Sequence, residues 1–310
     1  MQEIHLHHPY SAQQIPKEDV VLVLGYFDGV HRAHQQVIKQ GGEIARQKGL
    51  KLAIMTFDKQ PALVFQKFHA EMLTNLSSTA LKRDWMAVLG VDYYYVAKFT
   101  SLFASLSPQE FVNQYIVGLN AKVVVTGFDY TYGSKGRADL LHLPSYARER
   151  FIIKVVPEYK VQERKVSSTW IRKLLSKGDI EQANQLLGYP YVTEGVVVRG
   201  NGRGHALGFP TANIEVSEDV YLPGVGVYVN NIEVAGAKYR AMGSVGHNET
   251  FGKGRRLTVE LNVFDFDQQI YGEKVKIYWL KYLRAQKKFS SVKNLVWQLN
   301  KDKNLAELIL

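Results

Sequence analysis

The chain has 310 residues, and 46% of them are hydrophobic. A chain of this length is too long for one ordinary hydrophobic core, so we expect two globular domains. It contains no cysteine, so disulfide bonds, thiolate metal sites and cysteine nucleophiles are excluded. A formal net charge of +10 favours anionic partners, whether nucleic acid, anionic lipid or phosphorylated small molecules, without choosing among them.

The distribution of charge and hydropathy narrows these classes. Basic residues are scattered, with short clusters at 148–150 and 284–288 rather than the long blocks of nucleic-acid-binding tails, so we expect no nucleic-acid partner. No run approaches the roughly 18 consecutive apolar residues of a membrane span. The segment Met1–Tyr10 lacks the basic start and the apolar run of a secretory signal. We therefore expect a cytoplasmic protein that does not insert into a membrane.

Residues 20–187 alternate short apolar runs with helical stretches, which is typical of a parallel sheet with crossover helices. The predicted strands are β-branched or aromatic runs, namely Val20–Phe27, Leu50–Phe57, Val91–Ala97, Ala121–Thr126 and Phe151–Val156. The predicted helices are His31–Lys48, Ser78–Leu89, Pro108–Leu119 and Ser168–Ser176. This pattern predicts an α/β domain, which we place at residues 1–187.

The first predicted strand leads directly into segment 25–34, Gly-Tyr-Phe-Asp-Gly-Val-His-Arg-Ala-His, and then into a helix. A glycine-containing turn from strand to helix offers unpaired backbone N–H groups and the positive end of the helix dipole, which favour phosphate. His31 and His34 are three residues apart, so on a helical turn they share one face and can both donate to one bound group. The alternative is that one histidine caps the helix and the other is an ordinary surface residue.

Four segments of this half, in order, resemble the motifs of the prokaryotic bifunctional FAD synthetases. They are 25–34, Thr-Phe-Asp with Pro61 at 56–61, Gly-Phe-Asp-Tyr-Thr-Tyr-Gly at 127–133 and Val-Ser-Ser-Thr-Trp-Ile-Arg at 166–172. The resemblance implies a Rossmann-like nucleotidyltransferase domain that adenylylates FMN, with catalysis by His31, His34 and Arg172. It implies ATP and phosphate contacts at Gly25, Phe27, Asp28, Gly29, Asp129, Ser168 and Thr169.

Other interpretations of these residues stay open. Ser168 and Thr169 open a predicted helix, so they could simply cap it, with Arg172 on the surface. Asp129 could be a turn residue. Aromatic rings suited to stack on an isoalloxazine ring occur at Phe65, Phe128, Tyr130 and Tyr132, although aromatic side chains near strand ends often belong to the core.

From Thr193 onward, strands with glycine-rich turns predict a small β-barrel or sandwich, which we place at residues 188–310. The predicted strands are Glu194–Arg199, Gly226–Val234, Tyr239–Val245, Arg256–Phe264 and Lys274–Leu283. In Leu257–Val263 the apolar residues alternate with polar ones, so Glu260 should point away from the core. Apolar residues at helical spacing predict a C-terminal helix within Ser290–Leu310.

Segment 200–213, Gly-Asn-Gly-Arg-Gly-His-Ala-Leu-Gly-Phe-Pro-Thr-Ala-Asn, carries four glycines and ends in Pro-Thr-Ala-Asn. So many glycines indicate either a backbone that approaches a ligand closely or a generic hairpin. No lysine with serine or threonine follows a glycine here, so it is not a Walker loop. The Pro-Thr-Ala-Asn run resembles the riboflavin kinase signature, which implies a small antiparallel β-barrel.

That resemblance also implies roles for individual residues. Thr211 and Asn213 would bind Mg²⁺, an ion that accepts hydroxyl and amide oxygens as ligands. Glu260 would be the base that deprotonates the ribityl hydroxyl, because a kinase needs one, although exposed strand glutamates are commonplace. Phosphate contacts are implied at Gly202, Gly204, Gly208 and Thr211. Arg284 would contact flavin or else lie on the surface.

Together these observations predict a bifunctional enzyme of flavin cofactor synthesis that uses ATP, riboflavin, FMN and Mg²⁺, with self-association possible. Two positions depart from the family pattern, with Ala33 in place of glycine and Glu249 in place of proline. They leave open an enzyme with one active module. A flavin- or nucleotide-binding regulator derived from such an enzyme is the other alternative.

Overall fold

The computed structural model describes residues 1–61, 74–132, 138–200, 204, 207–247 and 257–309. The chain divides into two compact units. The first comprises Met1–Leu73 and Thr79–Ser167, and the second comprises Thr74–Ser78 and Ser168–Leu310.

The first unit is built on a parallel sheet, as predicted, which within the described residues has six strands in the order β1-β4-β3-β2-β5-β6. The strands are β1 (Gln2–Leu6), β2 (Val20–Leu24), β3 (Lys51–Phe57), β4 (Tyr93–Ala97), β5 (Ala121–Gly127) and β6 (Ile152–Val156). The five predicted strands are confirmed, whereas β1 was not predicted and pairs with β4 at the edge. The other elements are α1 (Arg32–Lys48), α2 (Thr79–Val88), α3 (Ser101–Ala104), α4 (Pro108–Phe111), α5 (Leu143–Ala147) and the hairpin of β7 (Lys160–Val161) with β8 (Arg164–Lys165).

Strand β2 lies inside the sheet and every one of its residues is buried. Val20, Leu22 and Leu24 face one apolar cluster, while Val21 and Val23 face the other. A continuous apolar run is what a strand covered on both faces requires. The chain proceeds from β2 to β3 and β4 on one side, then returns to β5 and β6 on the other side. The direction in which the strands are added therefore reverses between β2 and β5. Ligands of such sheets bind at this switch point, beside the carboxyl ends of the strands.

The predicted helix Pro108–Leu119 is confirmed in its bounds, but it is not a regular α-helix. It consists of α4, which begins with a Ser107–Glu110 capping box, a wide π-helical turn at Val112–Ile116 and a 3₁₀ turn at Val117–Leu119. The hydroxyl of Tyr10 donates to the Gln114 carbonyl, which a regular α-helix would reserve for the N–H of Gly118. A contact from a residue far away in the sequence thus accompanies the irregular turns.

The second unit contains a closed antiparallel barrel, which over the described residues has the order β10-β13-β12-β11-β14-β9. Its strands are β9 (Tyr191–Val198), β10 (Ala212–Val216), β11 (Gly226–Val234), β12 (Ala237–His247), β13 (Leu257–Val263) and β14 (Lys274–Arg284). The barrel confirms the prediction, and β10 is an addition to the predicted strands. The predicted C-terminal helix is α8 (Val292–Ile309), in which Val296 and Leu299 pack beside the buried Ala306. Among the described residues, no helix combines the length and the apolar character needed to cross a bilayer.

Two helices, α6 (Ser168–Ser176) and α7 (Ile180–Leu187), belong to the second unit. The side chain of Asn184 in α7 donates to the Trp279 carbonyl at 2.9 Å and accepts from the Tyr191 N–H at 2.7 Å, which fastens α7 to β14 and β9. The predicted boundary between residues 187 and 188 stays a prediction.

Candidate functional site

The turn that follows β2 has an unusual backbone. Phe27, Gly29 and Val30 have φ values of 56°, 73° and 35°, and all three residues are buried. Positive φ is unfavourable for most residues and is a genuine outlier for a β-branched one such as Val30. Strained backbone of this kind persists where the surroundings enforce it, and it clusters at functional sites. The predicted site residues Gly25 and Asp28 belong to the same turn, and Asp28 is buried.

His31 and His34 lie together at the start of α1. His31 is the N-cap residue, and its Nδ1 accepts from the His34 N–H at 3.5 Å. The two imidazole rings stack with centroids 3.6 Å apart. The rings of Phe27 and His34 make an edge-to-face contact with centroids 5.4 Å apart. Histidine therefore does cap this helix, but His34 is not an ordinary surface residue. Its buried Nδ1 has no hydrogen-bond partner among the described residues, which suits a site that awaits a ligand.

Burial keeps both imidazoles neutral near pH 7. The pKa of His31 is lowered to about 4, chiefly by burial and also by the charge of Lys165, while the residue's own backbone hydrogen bond and Asp129 oppose this shift. The pKa of His34 lies well below its ordinary value of 6.5, because of burial first, then repulsion between the protonated forms of the two rings, and then the charges of Lys82 and Lys165. With its Nδ1 accepting, the neutral His31 ring carries its proton on Nε2 and can donate from there.

A charged pair connects the loop after β5 with strand β8. Asp129 follows β5 and forms an ion pair with Lys165 of β8. The Lys165 ammonium lies 4.7 Å from the centre of the Phe128 ring, which is 42% exposed. Asp129 and Phe128 were predicted to contact nucleotide or flavin, whereas Lys165 was missed, because a lone lysine in a short hairpin gives no sequence signal.

A second missed residue is Lys82, which is 5% exposed in α2 and donates to the Tyr26 carbonyl at 3.0 Å. Its sequence signal was weak but present. Lys82 stands four residues before Met86, and both are buried on the inner side of α2. A lysine at an apolar position of an amphipathic helix is a candidate for a buried, partnered charge.

The remaining flavin contacts predicted for the first unit stay predictions. Tyr132 is buried in the core, where its ring lies 6.3 Å from that of Tyr130 and 5.6 Å from that of Phe111. Its hydroxyl has no partner among the residues described. Phe65 lies outside the described residues.

Ser168, Thr169 and Arg172 occupy the first turns of α6, whose predicted bounds are confirmed. The Arg172 guanidinium donates to the Thr74 carbonyl at 2.9 Å. These three residues belong to the second unit, while His31 and His34 belong to the first.

The barrel presents a row of polar residues across three strands. Asn213 of β10 pairs directly with Glu260 of β13, which in turn pairs with Ser244 of β12. Directly paired residues of antiparallel strands point to the same face. Glu260 is exposed and its neighbours Val259 and Leu261 are buried, so the predicted outward orientation of Glu260 is confirmed.

Thr211 immediately precedes β10, and its position is fixed from two sides. Asn262, which the alternation placed on the polar face of β13, is buried and donates to the Pro210 carbonyl at 2.7 Å. A Cβ atom at Gly204 would lie 2.3 Å from the Phe209 carbonyl oxygen and 3.0 Å from the Thr211 hydroxyl. A Cβ at Gly200 would lie 2.0 Å from the Asn213 amide nitrogen. The glycines therefore permit close approach, here of the backbone to Thr211 and Asn213.

Gly208 and Gly202 are the other two glycines of this loop that were predicted to contact phosphate. Gly208 has a φ of 77°, a conformation that favours glycine. Gly202 lies outside the described residues, as does Glu249.

The donors gathered here suit a hard divalent cation. Thr211 and Asn213 supply a hydroxyl and an amide oxygen at the start of β10, and Asn213 pairs with the carboxylate residue Glu260. Mg²⁺ accepts such oxygen ligands and completes its coordination with water and phosphate oxygens.

Arg284 is held by a carboxylate. Its guanidinium forms three hydrogen bonds with Asp302 of α8, at 2.6 to 3.1 Å, and the Asp302 side chain is only 4% exposed. A bidentate pair of this kind fixes the arginine in place. The predicted contact between Arg284 and flavin stays a prediction.

Known proteins of one family resemble this chain over nearly its whole length. The FAD synthetase family matches residues 13–170 and the riboflavin kinase family matches residues 187–310. The bifunctional riboflavin kinase/FMN adenylyltransferase of Listeria monocytogenes is 45% identical over 304 residues, which cover 97% of this chain and 96% of the relative. The protein of the same name from Bacillus subtilis is 40% identical over 310 residues, covering 99% of this chain and 97% of the relative.

A solved structure shares the fold from end to end. The crystal structure described as a macrolide-efflux protein from Streptococcus pneumoniae superposes with a TM-score of 0.90 and 39% identity, covering 99% of each chain. The parallel sheet with its histidine pair, the barrel with its Thr-Asn-Glu group and the full-length similarity all lead to the same assignment. The chain belongs to the family of bifunctional riboflavin kinase/FMN adenylyltransferases.

Proposed function

We propose that this chain phosphorylates riboflavin to FMN and then transfers the adenylyl group of ATP to FMN, giving FAD and pyrophosphate. The observation that carries the proposal is the neutral, stacked pair of His31 and His34 at the switch point of a parallel sheet. Adenylyl transfer is assigned to residues 1–187 and riboflavin phosphorylation to residues 188–310.

Adenylyl transfer requires no general base. The phosphate of FMN is ionised near neutral pH, so its oxygen can attack the α-phosphorus of ATP directly while the bond from that phosphorus to the pyrophosphate oxygen breaks. The protein therefore contributes alignment of two anions and donors for the charge that accumulates on pyrophosphate. We assign the donors to His31, His34 and Arg172, with Ser168 and Thr169 as further phosphate contacts.

Riboflavin phosphorylation does require a base, because the attacking group is an alcohol. We assign this role to Glu260, which would accept the proton of the terminal ribityl hydroxyl as its oxygen bonds to the γ-phosphorus and ADP leaves. Its exposure on β13, directly opposite Asn213, supports the assignment.

Thr211 and Asn213 would hold Mg²⁺ together with the phosphates of ATP. The ion would withdraw electron density from the γ-phosphorus and neutralise charge on the leaving ADP. The packing of Gly200 and Gly204 against these two side chains supports their roles, because it restricts how far either side chain can move.

We further propose that ATP, riboflavin and FMN are the partners of this protein, without nucleic acid, and that it acts in the cytoplasm, where ATP is available. Self-association is compatible with this function. The scattered basic residues suit phosphorylated small molecules as well as they suit any larger anion.

The test is to incubate purified protein with riboflavin, ATP and Mg²⁺, and in parallel with FMN, ATP and Mg²⁺, and to resolve the flavins by chromatography. FMN and FAD from the first mixture, and FAD from the second, are expected. Absence of both products would favour a flavin- or nucleotide-binding regulator. Formation of only one product would show that a single module is active.

A further inference from the structure

Lys82 is a cation in an interior position. It is 5% exposed, whereas Arg83, the next residue of α2, keeps half of its side chain in solvent. Removing an ammonium group from water is costly unless polar partners replace the water. The position of Lys82 therefore calls for specific contacts.

Those contacts converge on one backbone carbonyl. The Lys82 ammonium donates to the Tyr26 carbonyl oxygen at 3.0 Å and lies 4.2 Å above the centre of the Tyr26 ring. The hydroxyl of Thr56, which is also buried, donates to the same oxygen at 2.9 Å. A carbonyl oxygen with two lone pairs is thus engaged by two donors, one of them charged.

The Tyr26 carbonyl is the last group before the strained turn. Phe27 follows at a φ of 56°, then come Gly29 at 73° and Val30 at 35°, and His31 opens α1. Glycine adopts positive φ freely, but for Phe27 and Val30 this conformation costs roughly 1–3 kcal/mol each and persists only when neighbouring structure holds the backbone in place. Helices α1 and α2 both pack against residues Asp28–Val30, and α2 is the one that also reaches the Tyr26 carbonyl through Lys82.

The charge of Lys82 also acts on the histidine pair. After burial, which lowers the pKa of His34 most, the charges of Lys82 and Lys165 lower it as well. Burial lowers the pKa of Lys82 itself to about 8 and the charge of Asp28 opposes that effect, so the ammonium is mostly protonated at pH 7. Asp129 is the acidic group that acts on the neighbouring His31.

We propose that Lys82 is a positioning residue for adenylyl transfer, which holds the Tyr26 carbonyl and thereby the turn that aims His31 and His34 at the substrate phosphates. The inference rests on the proposed adenylyltransferase activity. It assigns to a helix outside the recognised motifs a part in the geometry of the site.

The test compares four single variants of the full-length chain, and the double variant Lys82→Met with Thr56→Val, in both flavin reactions. Lys82→Met removes the charge and keeps an unbranched side chain, Lys82→Arg keeps a charged donor, Thr56→Val removes the second donor, and Arg83→Met is the matched control in the same helix. We expect Lys82→Met to lower kcat for FAD formation from FMN by about 30-fold, since misplacement of a reacting group by about 1 Å costs up to 100-fold. Riboflavin phosphorylation should stay within about twofold of the wild type.

The companion variants separate positioning from simple destabilisation. Lys82→Arg should recover part of the lost rate, Arg83→Met should match the wild type, and Thr56→Val should lower FAD formation less than Lys82→Met. In the double variant the losses should be less than multiplicative, because both side chains hold the same carbonyl. In histidine NMR titrations the His34 ring should titrate at higher pH in Lys82→Met, because a neighbouring cation has been removed.

Several outcomes would overturn the inference. Wild-type FAD formation by Lys82→Met, an equal loss of both reactions, or an unchanged His34 titration would each do so. If Lys82→Met does not fold, Thr56→Val decides, and its unimpaired FAD formation would count against the proposal. A wild-type protein that makes no FAD in the same assay would instead refute the proposed function.

Discussion

The imidazole rings of His31 and His34 are stacked, with centroids 3.6 Å apart and planes 16° from parallel. Two protonated rings at this distance would repel each other strongly in a buried setting. Burial and neighbouring cations lower the pKa of each ring, so the free site holds two neutral imidazoles. Their N–H groups are then donors that need no prior loss of a counter-ion, which suits an anionic substrate.

Replacing His31 should separate the two activities. We expect His31→Ala to lower FAD formation from FMN by at least about 100-fold, the loss typical for one donor to a developing anion. FMN formation from riboflavin should persist. Chromatography of both reactions checks this result, with His5→Ala, an exposed histidine of β1, as the control. Equal loss of both products in a folded protein would show that the division of labour is wrong.

Replacing Glu260 should abolish FMN formation and spare FAD formation, the opposite of replacing His31. Glu260→Ala and Glu260→Gln both remove the base, and general-base catalysis contributes roughly 100-fold to 10,000-fold. We expect loss of FMN formation of that order, while FAD formation from supplied FMN continues. Glu215→Gln is a matched control, since Glu215 is an exposed glutamate on the neighbouring strand β10. Normal kinase turnover by Glu260→Gln would remove Glu260 from the mechanism.

The buried histidines should make stability depend on pH. The pKa of His31 is about 4 in the folded protein against an ordinary 6.5, so between these values the unfolded chain binds more protons. The free energy of unfolding is therefore highest above pH 6.5 and falls as the pH drops toward 4. For His31 alone the loss between pH 7 and pH 5 is about 2 kcal/mol, and His34 adds to it in the same direction.

Urea denaturation at pH 7 and pH 5 measures this dependence. His31→Gln should lose less stability on acidification than the wild type, and His5→Gln should behave like the wild type. If His31→Gln showed the same loss as the wild type, His31 would not be the group that titrates.

The ion pair between Arg284 and Asp302 should stabilise the folded state of the second unit. Asp302→Ala would leave a largely buried guanidinium without its carboxylate, a change that typically costs about 3–5 kcal/mol. Thermal unfolding should show a clear drop in Tm. The control is Glu307→Ala, which removes a partly exposed partner of Lys303 in the same helix, for which a change below about 1 kcal/mol is expected. Similar Tm changes in the two variants would contradict this account.

Local sequence patterns were sufficient to predict the central strands and the outward orientation of Glu260. The buried run of β2 and the alternation around Glu260 depend on which faces are covered, and a residue's neighbours in sequence report that directly. The edge strand β1 was missed because it has only two apolar residues, Ile4 and Leu6, which are separated by His5. Strand β10 was missed because its first two residues end the 200–213 segment, whose motif suggested a loop.

The rest depended on contacts between residues distant in the chain. The irregular turns at 112–119 accompany a hydrogen bond from Tyr10, some hundred residues away. The buried state of Lys82 depends on the Tyr26 carbonyl, which no pattern around Lys82 reveals. The positive φ of Val30 is likewise invisible in sequence, because a β-branched residue ordinarily avoids that conformation.

The attachment of α7 to the barrel affects any attempt to express the kinase half by itself. A fragment that starts at residue 188 would lack Asn184, leaving the Tyr191 N–H and the Trp279 carbonyl without the amide that joins them. It would also uncover apolar surface that Leu186 and Leu187 now bury. A fragment that starts at Ser168 would retain both features, and is the better choice for isolating riboflavin phosphorylation.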